Sequence, residues 1–189
     1  MMRLIYREFL KYKFLNSLFL GVSIGTIFTI YEPLKPSIYS AGGIALAVAM
    51  ILIAKLYSKI LNITYFYRIS LLVELVLLFV ICAFLLLSYN YLSALIVYVG
   101  YQMTFSFGSY LVRAETLFLK KADLLKMVDI IKQKGYLTGM LISYLFYKLI
   151  TVFFHIHSKK LQVYDIHILL LGIELAIIFY IFRSFKAVR

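Results

Sequence analysis

The sequence predicts an all-α membrane protein, a single domain over residues 1–189 with six transmembrane helices, a three-plus-three inverted repeat and both N- and C-termini cytoplasmic. Three observations predict it. Of the 189 residues 64% are hydrophobic and only 15% charged, with a mean hydropathy of +0.96, more apolar surface than a water-soluble domain of this size can hide. Apolar runs of the roughly 17 to 25 residues needed to cross a hydrocarbon core fall at 14–31, 38–57, 69–88, 91–112, 136–154 and 166–182. Lys and Arg flanking short loops stay on the cytoplasmic side, and with the N-terminus inside, sixteen of the twenty basic residues fall there. Only Lys35, Lys159 and Lys160 fall outside, and Lys148 lies within a span. The alternation of a lipid-embedded barrel is absent.

The first span follows Arg3, Arg7, Lys11 and Lys13 and ends at the Glu32-Pro33 turn. A cleaved leader shares that basic start and apolar middle, but no small-residue cleavage site precedes the turn, so the span is read as retained. The second carries Ala41, Ala45 and Ala49 at every fourth position. Such small faces let membrane helices approach closely. The third holds Glu74, about two turns in from the cytoplasmic side, and Cys82, a lone cysteine that reads as packing. After the short Tyr89-Asn90 turn, the fourth span runs into Arg113 and Glu115.

Residues 113–135 form the one substantial cytoplasmic connection, where Leu124, Met127, Val128 and Ile131 share a helical face opposite Lys126, Asp129 and Gln133. That pattern predicts an amphipathic interfacial helix. The fifth span has a second small-residue stripe, Gly135, Gly139 and Ser143, and Lys148 in its outer half. In the outer connection, His155, His157, Asp165 and His167 have the ligand types of a zinc or copper site, but His-x-His on a helix splays the rings, and the segment is read as a solvated loop with no metal. The sixth span holds Glu174 near mid-membrane, at about the height of Lys148. The net charge of +12 edges the spans, which serves topology and anionic lipid rather than nucleic acid.

One repeat is visible: Leu71 to Phe79 around Glu74 is similar to Leu171 to Phe179 around Glu174, at an offset of 100 residues. Glu is rare inside a span, and the same setting in two helices of opposite direction predicts an inverted copy of three helices. The stretch Phe107 to Lys120 (FGSYLVRAETLFLK) is similar to the F-S-G-x-x-x-A-L-x-Y-D-S-L-K pattern at the inner end of helix four in some major facilitator superfamily transporters. Lys132 to Gly139 (KQKGYLTG) is similar to the basic, glycine-containing start of their helix five. With the six-helix topology, the chain resembles one half of such a transporter. The loop after helix two carries Lys55, Lys59 and Arg68 without the Asp and glycines of the superfamily's signature.

The resemblance implies a half-size carrier of a small or amphipathic solute in the cell or inner membrane, acting with a second half, most simply as a homodimer. In the resembled fold helices two and five meet the other half, which makes Ala41, Ala45, Ala49 and Gly135, Gly139, Ser143 the dimer-interface candidates; close packing within one unit is the alternative. The intramembrane charges Glu74, Glu174 and Lys148, with Arg113 and Glu115, are the transport and coupling candidates. Glu174 or Glu74, removed from water, can load and release protons. Alternatively Lys148 pairs with Glu174 to tie helices five and six, and Arg113 and Glu115 merely end helix four. No nucleotide loop, His-Glu-x-x-His, nucleophile elbow or acidic magnesium motif occurs, so neither enzyme nor cofactor is expected. A non-transporting accessory subunit and a small intramembrane lipid-modifying enzyme are the other readings.

Overall fold

A computed structural model of the chain describes residues 2–29, 34–87 and 91–187. The predicted turns at Glu32-Pro33 and Tyr89-Asn90 lie outside the described residues. The elements are β1 (Met2–Leu4), α1 (Tyr6–Thr29), α2 (Pro36–Lys55), α3 (Tyr57–Ile60), α4 (Ile63–Leu86), α5 (Tyr91–Ser106), α6 (Gly108–Leu119), α7 (Ala122–Phe153), α8 (Lys159–Ser184) and β2 (Phe185–Ala187). Five helical stretches, α2, α4, α5 with α6, α7 and α8, are long and apolar enough to cross a membrane, as in an integral membrane protein.

Local chemistry sets the boundaries. Pro36 opens α2 at its first turn, where no backbone donor is lost. The Asn62 side chain caps α4 by accepting from the Tyr65 amide at 3.1 Å. The fourth predicted span is broken at Phe107, between α5 and α6. The connection at 113–135 differs from the interfacial helix expected there. α6 continues to Leu119, Lys120 turns the chain in the left-handed region at φ 52°, and α7 then runs unbroken for 32 residues from Ala122 to Phe153. Val128 is buried, while Met127, expected on the same apolar face, is exposed. The segment is thus the ends of two long helices meeting at a tight turn.

α1 packs along α7 and α8, α4 packs against α8 and α5, and α2 rests on α5. Small residues permit the closest of these contacts. A Cβ on Gly139 would lie 2.2 Å from the Leu18 carbonyl oxygen, one on Gly135 2.3 Å from that of Phe14, and one on Gly21 2.3 Å from that of Tyr136. The backbones of α1 and α7 therefore touch, as small-residue faces allow. This corrects the expectation that Gly135, Gly139 and buried Ser143 meet a second copy, because α1 already occupies that face. The other stripe is open: α2 has no buried residue, Ala41 and Ala45 are exposed, and Ala49 is half-buried.

At the basic end of the bundle an aromatic cluster fills the core. Phe66 stacks on Phe118 at 5.7 Å and meets the edges of Phe9 at 6.0 Å and Phe185 at 5.5 Å. Beside it β1 and β2 pair antiparallel, with Arg3 opposite Lys186 and Leu4 opposite Phe185. Glu8 strengthens this union of α1 and α8 through Arg183 at 3.1 Å, and Lys11, one turn on in α1, holds its other oxygen at 3.0 Å.

Two outcomes follow from this packing. Gly139→Ala should cost about 1–3 kcal/mol by overpacking, and Gly139→Leu should prevent the protomer from folding, whereas Ala45→Leu should stay within ~0.5 kcal/mol; thermal unfolding followed by circular dichroism checks the order. The Glu8 carboxyl is held below its ordinary value by the hydrogen bond from Lys11 and the charges of Arg183, Lys11 and Arg7. A lowered carboxyl stabilises the fold above its unfolded pKa and loses that effect as pH falls through the folded value. The stability difference between the native chain and Glu8→Gln should accordingly be present at neutral pH and vanish on acid titration.

Candidate functional site

The site grows from α1. Tyr12 and Asn16, one turn apart, lie on the same helical face, and both reach Glu74 on α4. The Tyr12 hydroxyl donates to Glu74 Oε1 at 3.0 Å and the Asn16 amide donates to the same oxygen at 2.9 Å. Across the α4–α8 contact the carboxyl of Glu174 meets that of Glu74. Glu74 is 1% exposed and Glu174 0%. Among the described residues, Glu74 Oε2 and both Glu174 oxygens have no hydrogen-bond donor. The two repeated glutamates of the sequence are thus brought together in one buried place.

A second charged group lies toward the basic end. Lys13, the neighbour of Tyr12, ion-pairs with Glu115 Oε2 at 2.7 Å, and Lys132 from α7 pairs with Oε1. Lys13 also lies over the rings of Phe9 and Tyr12, at 5.2 and 5.1 Å, which adds cation–π attraction. Lys132 in turn lies 3.9 Å from Asp129. Glu115 is therefore tied to α1 and α7, while Arg113, two residues earlier, is exposed and turned away from it. Lys148 is exposed as well, with its ammonium over the Tyr144 ring at 6.0 Å. This corrects the alternative in which Lys148 pairs with Glu174: similar depth in two helices does not make them face each other.

Toward the opposite end, Tyr101 on α5 brings its hydroxyl near Ser23 of α1 and within electrostatic reach of Glu174. Beyond it a cavity of about 320 Å³ opens between α2 and α5, lined in part by Tyr39, Tyr98, Tyr101, Gln102 and Phe105. His167 lies apart from this line, stacked on Phe84 at 3.9 Å, while His155 and His157 are exposed. Among the described residues no three His, Cys, Asp or Glu side chains come together as a metal site.

Chemically, the two acidic centres differ. Glu115 has two lysines and makes a fixed buried ion-pair cluster. Glu74 has two neutral donors and Glu174 none, so ionising both would bury two like charges with Lys13 the nearby cation, itself engaged by Glu115. Uncompensated charge in such a place costs several kcal/mol, and the pair is relieved by taking up a proton or a small cation. Tyr12, Lys13 and Lys132 escaped the sequence reading as site residues. Their signal was faint: Lys13 counts as one more basic residue at an inner helix end, and nothing in its neighbourhood names Glu115.

Comparison with protein-family models, with curated proteins and with solved structures gives no match.

The charge cluster sets an order of sensitivities. Glu115→Gln leaves Lys13 and Lys132 around a neutral amide and should cost about 3–5 kcal/mol, the usual penalty for breaking a buried pair, while Lys148→Met should change stability by less than ~0.5 kcal/mol. Thermal unfolding in detergent measures both; a Lys148 variant less stable than the Glu115 variant would reverse the assignment.

Proposed function

We propose that this chain is a half-size membrane carrier, six spans arranged as an inverted three-plus-three repeat, in which the Glu74–Glu174 pair carries the coupling proton for a small amphipathic solute. The observation that carries the reading is the pair itself. A purely structural carboxyl in hydrocarbon would be compensated as Glu115 is, and among the described residues Glu174 has only the Glu74 carboxyl for company.

Two further observations support the architecture. Counting α1 as the first span, the helix contacts keep their pattern when spans one, two and three are exchanged for four, five and six. α1 with α7 becomes α5 with α2, α1 with α8 becomes α5 with α4, and α4 with α8 becomes itself. The same exchange relates the tyrosines, since α1 gives Tyr12 to Glu74 and α5 brings Tyr101 toward Glu174. An inverted repeat of this kind has its site where the two copies meet. The aromatic cluster and the Glu115 ion pairs fill the core at the basic end, and the tyrosine-lined cavity lies between α2 and α5.

A carrier that rocks one bundle against another needs a second bundle, and a second copy is the simplest source. With the α7 stripe occupied by α1, the exposed α2 face with Ala41 and Ala45 is the surface left for it. An accessory role without transport is the second reading, favoured by the full burial of both glutamates.

The reading is tested in proteoliposomes, by solute flux across a candidate panel with and without a pH gradient. Glu174→Gln or Glu74→Gln should reduce pH-driven accumulation at least tenfold while equilibrium exchange and native oligomer mass are kept. Full accumulation by both folded variants refutes proton coupling through the pair, and no flux of any solute favours the accessory role.

A further inference from the structure

We infer that the cavity between α2 and α5 is a binding site for a hydrophobic organic cation. The inference rests on the carrier reading only in calling that ligand a substrate; as a binding site it stands on the cavity's own construction.

Four of its lining residues are aromatic, with Tyr98 and Tyr101 half-buried and Tyr39 and Phe105 at the exposed rim. Tyr98 and Tyr39 meet edge to face at 5.2 Å, and the Tyr98 hydroxyl donates to the Tyr39 carbonyl oxygen at 3.2 Å. The Tyr98 ring can lie there because position 42 is glycine: a Cβ would fall 2.2 Å from the hydroxyl oxygen. Tyr101 and Phe105, one helical turn apart on α5, have their rings 5.9 Å apart. The cavity thus presents π faces and edges from two helices, at about 320 Å³, the lower end of the range for small-molecule sites. Gln102 lines it and has a buried side-chain oxygen with no donor among the described residues. That oxygen is an acceptor for a ligand N–H or a positively polarised methyl group.

The sign of the ligand's charge follows from what surrounds the cavity. Among the described residues no charged side chain lines it. Aromatic faces attract a cation while repelling an anion. Lys35, next to the cavity residue Leu34, is exposed. An apolar cation satisfies the aromatic walls and the open acceptor together; a neutral ligand leaves the electrostatics unused, and an anion opposes them.

The test uses radiolabelled tetraphenylphosphonium binding to the full chain in phosphatidylcholine nanodiscs, corrected with empty discs, with tetraphenylborate as the anion of the same shape. Saturable binding is expected, displaced by unlabelled tetraphenylarsonium and at least tenfold less effectively by tetraphenylborate. Tyr98→Leu should weaken binding at least tenfold and Tyr98→Phe should largely retain it. Absence of saturable binding, or equal displacement by the two ions, overturns the inference, and this comparison needs only the native chain should a variant fail to fold. Binding unchanged in Tyr98→Leu overturns the location. Cation binding without flux supports the site and counts against the carrier; pH-driven flux of another solute without cation binding does the reverse.

Discussion

A charged group in hydrocarbon needs a counter-charge, a donor or a proton, and the bundle meets that need to very different degrees along its length. Glu115 has two ammonium groups, Glu74 has a phenol and an amide, and Glu174 has only Glu74. The compensation falls from complete to absent over a short distance, and the uncompensated end is where chemistry has room to happen. All of this hangs on α1, which supplies Tyr12, Lys13 and Asn16. α1 can lie that deep because Gly21, Gly135 and Gly139 let its backbone touch α7. Backbone packing without side chains thus sets the electrostatics of residues several turns away.

What was legible in the sequence follows the same physics. The spans could be placed because transfer to hydrocarbon depends on composition alone, and α2, α4, α5 with α6, α7 and α8 lie where the apolar runs predicted them. Glu74 and Glu174 stood out because a carboxyl in such a run is costly and this one occurs twice in the same context. That they touch could not be read, since the period of a helix gives its faces but not which helix each face meets. The same gap misassigned the Gly135, Gly139, Ser143 stripe, whose smallness was plain and whose partner was not. It also suggested Lys148 for Glu174, where depth was known and direction was not.

Other features left no trace to read. Lys120 takes a left-handed conformation that glycine usually marks, so the charged stretch after it looked like a separate surface helix. Two strands of three residues each are too short for alternation to show. The aromatic cavity is built from residues on two helices, and neither contributes enough rings in sequence to form a motif.

The placement of α1 also bears on how the chain is made. Its main neighbours are α7 and α8, which leave the ribosome well after it. At roughly 5 to 20 residues per second, α1 waits for about 100 residues of synthesis before Glu115 can neutralise Lys13, and longer before residues 185–187 can pair with residues 2–4. During that interval its glycine face and its lysine have only lipid, water and the insertion machinery for company. The partners that hold α1 in the finished bundle are thus made only after it has been threaded into place.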